Sequence, residues 1–333
     1  MLRTILAAAG FALAAAGGAS AQDALKLAFF AGANDSTYSG VVAPWIDDVN
    51  RTLAGKLRID GFPGGALGRN PAVQVKLVQD GVADLAFFVP SYTPGRFPDN
   101  EVMELPGVIR NSRESSIALW RIFAKGLLRG YDEFHVIMLV TTFPYNIHTT
   151  FPVTEIADLK GKKLRAGGPV AADTIKALGA VPVGMPIPAV AENISKGVLD
   201  GSAADWNVMY AFRIVDVTKH HYMAHMGTVP IGILFNKRRW DGLPAGARAA
   251  IDALSGEALA RRFARVNGEV QEEYLQRTRK TSGHSFVFPD AQATAAWDRT
   301  MNPVIDAWVA KHPKGKALLD ALKKELAAVR AES

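Results

Sequence analysis

The chain has 333 residues, no cysteine, and 38 Lys and Arg against 32 Asp and Glu, a net charge of +6. The missing thiols exclude a disulfide framework, a thiolate nucleophile and a cysteine-based metal site. The mild, evenly spread positive balance suits small anionic ligands, and no basic tract is long enough to argue for nucleic acid.

The first residues, "MLRTILAAAGFALAAAGGASAQ", combine a single charge, Arg3, an apolar stretch from Ile5 to Ala16, and a small-x-small site at Ala19-Ser20-Ala21. This pattern predicts a secretory signal peptide over 1–21, with an uncleaved anchor as the alternative. The apolar stretch is shorter than the roughly 20 residues a membrane span needs. The mature chain, from Gln22, is expected in the periplasm. It is long enough to bury its core without disulfides and to form two domains.

"ALKLAFFAG" then reads as a buried strand and "YSGVVAPWIDDVNRTL" as an amphipathic helix with Pro44 in its early part. "KLRIDGFP" is a second strand, "NPAVQVKLVQDG" a helix closed by Gly81, and "VADLAFFVP" a strand bounded by Pro90. Alternating strands and helices predict an α/β domain with a largely parallel sheet. The grammar repeats: "KKLRAG" is a strand, "PVAADTIKALG" a helix closed by Gly179, "VPVGMP" a strand, "AVAENISKG" a helix and "VLDGSAADW" a strand and loop. "VQDGVADLAFF" and "ISKGVLDGSAADW" also match each other, which predicts two lobes of related construction. Leu243 to Lys280 reads as one long helix bracing both lobes. "HSFVFPD" is a strand, and the remainder is helical with a break at His312-Pro313. The expected division is lobe I over 22–145 plus about 230–255, and lobe II with the bracing helices over 146–229 plus about 256–333.

"GKKLRAGGPVAADTIKALG" carries the strongest chemical signal. Arg165 ends an apolar run, and its planar guanidinium can pair bidentately with a carboxylate. Gly167 and Gly168 clear the backbone for a ligand, and Pro169 suits the first turn of a helix whose free N–H groups favour anions.

"FPGGALG" followed by "GVADLAF", then "DLKGKKLRAGG…ALGAVPVGMPIPAVAENISKGVLDG", then "ILFNKRRWDGLPAGARAAID" leading into a long helix, together resemble the substrate-binding proteins of tripartite ATP-independent periplasmic (TRAP) transporters. The likeness covers nearly the whole mature chain in order. It implies a two-lobed α/β periplasmic binding protein that closes on an organic acid and delivers it to a membrane permease, with Arg165 on the substrate carboxylate. Many members carry an asparagine-containing run after the Asp-Gly pair. This chain has "DGSAADWNVMY" there, so the nearest candidate is Asn207.

Trp206 and Asn207 stand where open α/β folds place ligands, and could give an apolar wall and an amide, or a core tryptophan and a cap. Phe143 and Tyr145 lie where the chain crosses between lobes. Packing is favoured for Phe143 and the cleft for Tyr145. Tyr92 and Arg96 belong to a loop after a strand, and could close over a ligand and add an anion contact. Asn34 and Tyr38 flank a second strand end, where Asp35-Ser36 also reads as a helix cap. His221 and His225, four apart, suggest a metal only on a helical face, and no carboxylate stands at a useful offset. Pro63-Gly64-Gly65 matches no phosphate-loop or dinucleotide motif, so no metal or cofactor is expected. The aromatic candidates favour an apolar or aromatic acid, or a 2-oxo or 2-hydroxy acid, over a sugar acid. The protein is expected as a monomer or homodimer. The alternatives are a ligand carrier for a sensor ectodomain, or an exported isomerase or hydrolase using His148 or Asp205.

Overall fold

The computed structural model describes residues 23–332; the signal-peptide expectation lies outside them. Eleven strands among the described residues form two sheets. They are β1 (Asp23–Ala28), β2 (Leu57–Phe62), β3 (Leu85–Phe88), β4 (Phe134–Thr141), β5 (Asn146–Thr149), β6 (Lys163–Ala166), β7 (Val181–Gly184), β8 (Gly201–Ala204), β9 (His220–Tyr222), β10 (Pro230–Asn236) and β11 (Ser285–Val287). The first lobe holds the order β2-β1-β3-β10-β4, the second β11-β9-β5-β8-β6-β7.

Two extended stretches of chain form the hinge between the lobes, and they set the departure from a parallel sheet. β4 continues into β5, and β9 returns into β10. β10 therefore runs antiparallel to β3 and β4, and β5 antiparallel to β8 and β9. Between the sheets the crossings bond to each other: Thr142 N–H to Val229 O (3.0 Å), Tyr145 N–H to Gly227 O (3.1 Å) and Met226 N–H to Tyr145 O (3.0 Å). The hinge is a two-stranded ribbon whose backbone groups are paired along its length.

The internal sequence match is a match of construction. Helix Gln74–Gln79 ends at Gly81 (φ +73°) and helix Val190–Ser195 ends at Gly197 (φ +70°), a conformation that favours glycine. The next amide then closes each cap, Val82 on the Leu77 carbonyl and Val198 on that of Asn193. Asp84 next accepts from Lys26 N–H at 2.7 Å, and Asp200 accepts from Lys163 N–H at 2.7 Å. Each aspartate ties its strand to the central parallel neighbour, β1 or β6. The orders β2-β1-β3-β10-β4 and β7-β6-β8-β5-β9 correspond strand for strand.

Both faces of the first sheet are covered. In β3, Leu85 and Phe87 enter one core cluster, while Ala86 and Phe88 enter the other. That is why its sequence is an unbroken apolar run. The expected single long helix is two, Ala245–Ala253 and Gly256–Arg279, broken where Gly256 adopts φ +67°. A side chain at 256 would also meet Trp120, 2.7 Å from its Cβ position. The second helix, 24 residues long, is still the brace. It packs Phe263 into the first lobe and reaches the second through Gln271 Oε1, which accepts from Asn207 N–H at 3.1 Å. The last helix, Gly315–Ala331, was expected with the second lobe. Its Leu318, Leu322 and Leu326 instead enter the first lobe's core, and Arg330 pairs with Glu114. No helix among the described residues is long and apolar enough to cross a membrane.

Candidate functional site

Arg165 is on β6, third in the strand, and only 3% exposed. Its Nε donates to the Met185 carbonyl (3.0 Å) and its Nη2 to the Tyr92 hydroxyl (2.8 Å). The glycines beside it work differently from the expectation of open backbone. A Cβ on Gly167 would stand 2.9 Å from both Nη atoms of Arg165, so this glycine makes room for the guanidinium itself. A Cβ on Gly168 would stand 2.8 Å from the Ser91 side chain, so that glycine lets the first lobe close.

Tyr92, in the turn Pro90–Tyr92 after β3, is the latch between lobes. Its hydroxyl oxygen accepts from Arg165 Nη2 and from Ile187 N–H (3.1 Å), both in the second lobe. Those two bonds use its acceptor positions and leave its proton for a third partner. Ser36 Oγ adds a second tie between the lobes, donating to Asn207 Oδ1 at 2.7 Å.

Between the lobes lies a small cavity of about 50 Å³, walled by Phe30, Phe87, Phe212, Phe263, Tyr92 and Tyr145. Asp35, Thr37, Asn207 and Asn267 supply its polar lining. A second space, of about 30 Å³, shares Tyr145 with the first and is bordered by Arg165, Glu104, Thr174 and Thr228. Among the described residues lining the two, Arg165 is the only cation. Burial holds Asp35 above the usual carboxylate range. It drives Glu104 up to about 8, with Glu101 nearby adding to the effect and Arg165 and a Ser91 hydrogen bond opposing it. Near neutral pH Glu104 therefore keeps its proton, and the charge of Arg165 is left for an incoming anion. Raising the pH through about 8 ionises Glu104 beside Arg165 and gives the guanidinium an internal competitor. Affinity for a carboxylate, followed by calorimetry from about pH 6.5 to about pH 9, is expected to fall several-fold. Glu104→Gln should flatten that fall; an unchanged slope would remove Glu104 as its cause.

Of the sequence candidates, the structure brings Arg165, Tyr92, Tyr145 and Asn207 to these two spaces. The others fall elsewhere. Trp206 is core, with ring centroids 5.0 Å from those of His148 and His221. Phe143 is half-buried outside the lining, its N–H donating to Asp205 Oδ2 at 3.0 Å. Tyr38 packs on Phe29 and the first core, its hydroxyl filling the place of a Gly61 side chain. Asn34 is exposed. Arg96 pairs with Glu133 and lies over the Phe97 and Phe134 rings, tying its own lobe together. Pro63-Gly64-Gly65 is structural: Gly64 and Gly65 N–H donate to the Ala31 and Phe29 carbonyls at the end of β1.

His221 lies in a strand, not a helix, so its spacing to His225 does not gather the two rings. Its partners are His148 and His284. His148 Nε2 is 3.1 Å from the Ala204 carbonyl, which can only accept, so that nitrogen carries the proton. His148 Nδ1 then accepts from His221 Nδ1 (2.8 Å), and His221 Nε2 from His284 Nδ1 (2.8 Å). Burial pushes His148 down to about 4 and His221 to about 2, so this chain of imidazoles is neutral. Asp205, pushed up to about 7 by burial, caps the helix Trp206–Ala211 through Val208 N–H.

Sequence reasoning missed Phe30, Phe87, Phe212, Phe263 and Asn267. The repeated Phe-Phe pairs at the ends of β1 and β3 were a usable signal. Neighbouring residues of a strand face opposite ways, so one ring of the "LAFFVP" pair had to leave the core behind the sheet.

A family model for bacterial extracellular solute-binding proteins, family 7 (DctP), matches residues 27–312. The C4-dicarboxylate-binding periplasmic protein DctP of Rhodobacter capsulatus is 27% identical over 267 residues, 76% of each chain. A marine metagenome TRAP solute-binding protein specific for aromatic acid ligands, solved with metahydroxyphenylacetate, is 27% identical with a TM-score of 0.87, over 92% of this chain and 99% of its own. A TRAP solute-binding protein from Rhodoferax ferrireducens T118, solved with copurified benzoate, is 28% identical with a TM-score of 0.87, over 93% and 99%. With that pattern running through both lobes, hinge and brace, the chain belongs to family 7 of the bacterial extracellular solute-binding proteins, the substrate-binding proteins of TRAP transporters.

Proposed function

We propose that this protein captures an aromatic monocarboxylate in the periplasm and delivers it unchanged to the membrane subunits of a TRAP permease. The observation that carries the reading is an aromatic-walled cavity whose Tyr92 bonds to the buried guanidinium of Arg165 and whose Tyr145 also borders the space that Arg165 lines. The carboxylate pairs with Arg165, and the ring fills the space between Phe30, Phe87, Phe212 and Phe263. Burying roughly 100 Å² of ring surface contributes about 2–3 kcal/mol. A second carboxylate, as in a C4-dicarboxylate, would find no second cation among the described lining residues. Contacts made with both lobes at once favour the closed form. Binding is preferred to turnover because His148 and Asp205 are committed to structural hydrogen bonds away from the cavity.

Thermal shift and calorimetry with benzoate, 3-hydroxybenzoate, phenylacetate, succinate and D-glucuronate test the ligand class. The aromatic acids are expected to raise the melting temperature, since ligand at about 100 times Kd adds about 2.7 kcal/mol of stability. A shift with only succinate or glucuronate would overturn the reading. Ligand-loaded protein should also retain a permease pair from membrane extract. Retention of a receptor ectodomain instead would make it a sensor's carrier.

A further inference from the structure

We infer that the ligand is a hydroxy-substituted aromatic acid whose ring hydroxyl hydrogen-bonds the Asn267 amide, and that Asn267 sets the preference over the unsubstituted acid. This rests on the aromatic-acid reading above and names the substituent.

Asn267 is 3% exposed and lines the aromatic cavity, yet its Oδ1 is buried with no hydrogen-bond partner among the described residues. Buried polar atoms in native proteins are almost always partnered, so one that borders ligand space points to a group the ligand brings. The helix explains the placement. Phe263, Asn267 and Gln271 follow one another at four-residue spacing on one face of Gly256–Arg279. Phe263 gives the cavity an apolar wall, and Gln271 is occupied by the Asn207 N–H. Asn267, between them, has no such partner.

Two other acceptors of the lining are taken. Asn207 Oδ1 receives Ser36 Oγ at 2.7 Å, and Asp35 Oδ1 receives the Thr37 and Tyr38 amides at 2.9 and 3.3 Å. Rotating the Asn267 amide by half a turn only exchanges a carbonyl for an NH2, and a hydroxyl can pair with either. An ammonium on the ligand would call for a carboxylate. Asp35, the acid lining this space, already has its Oδ1 on two backbone amides, and burial disfavours its charged form, so a neutral donor suits the space better than a charged one.

The test is calorimetry of wild type, Asn267→Leu and Asn267→Ala with benzoate, 3- and 4-hydroxybenzoate, 3-hydroxyphenylacetate and phenylalanine; the alanine variant covers the case in which leucine closes the cavity. Wild type is expected to bind the best hydroxylated acid about tenfold or more tighter than benzoate, and both variants to bring that ratio within about threefold of unity. A ratio unchanged in both variants overturns the assignment of Asn267 while leaving the aromatic-acid reading intact. Wild-type preference for benzoate or for phenylalanine overturns the hydroxyl. If neither benzoate nor any hydroxylated acid binds wild type, the aromatic-acid reading itself falls and this inference with it.

Discussion

Arg165→Ala is expected to weaken binding of the carboxylate ligand by about 30- to 800-fold, or about 2–4 kcal/mol. The size follows from burial and from preorganisation. At 3% exposure the guanidinium is already desolvated, and its Nε and Nη2 are fixed by Met185 and Tyr92 before any ligand arrives. Little rotamer entropy remains to be lost on binding. Alanine also cuts the Tyr92 latch from β6, so the closed form loses an interlobe bond as well as the ion pair. The protonated state of Glu104 limits the collateral damage. Removing the positive charge drives its pKa further up, so no naked carboxylate is stranded in the site. Arg165→Lys keeps the charge but not the fork that reaches Met185, Tyr92 and a carboxylate together, and is expected to be weaker by about tenfold or more. Calorimetry on variants with wild-type circular dichroism measures both. An alanine variant within threefold of wild type would detach the ligand from Arg165.

Arg165 was readable because a strand-ending arginine followed by two glycines and a helix is a local pattern. The purpose of the glycines was not. That Gly167 accommodates Arg165 and Gly168 accommodates Ser91 depends on a side chain folding back and on a loop from the other lobe. The matching caps at Gly81 and Gly197, and the matching strand ties of Asp84 and Asp200, were visible as a short internal repeat because cap chemistry is local. Trp206 stayed open between wall and core for the opposite reason. Only the turn of the helix capped by Asp205 decides that the indole faces His148 while Asn207 faces the cavity. The aromatic walls were harder still, since Phe87 and Phe88 look alike in sequence and part only once β3 is seated between β1 and β10. The break at Gly256 was hidden because the apolar stripe continues through it. Its cause is a positive φ and the close approach of Trp120. The last helix gives the same lesson at longer range, because an amphipathic stripe states that a partner exists and not which lobe supplies it.

The hinge makes the second large prediction. Gly227→Ala is expected to destabilise the protein by about 2–3 kcal/mol, read as a fall of about 3–5 °C in melting temperature. A methyl group there would stand 1.8 Å from the Glu104 carbonyl oxygen and 2.2 Å from its carbon, backbone atoms that cannot rotate away. Nor can the ribbon yield freely. Gly227 O accepts from Tyr145 N–H, Met226 N–H donates back to Tyr145 O, and Thr228 donates to Met103 O through both its N–H and its Oγ1. Displacing residue 227 therefore moves Tyr145, a wall of both spaces, and Glu104, the neighbour of Arg165. Affinity should fall together with stability, a coupling that a clash remote from the site would not give. Gly246→Ala is the control. Nothing lies within 4 Å of its Cβ position in the helix Ala245–Ala253, and alanine there should add about 0.5–1 kcal/mol. The two glycine substitutions thus carry opposite signs: position 227 has no room for a methyl group, whereas position 246 has room and gains from the smaller entropy lost on folding. A Gly227→Ala variant that melts with wild type would show that the ribbon and the Glu104 backbone are not held in contact.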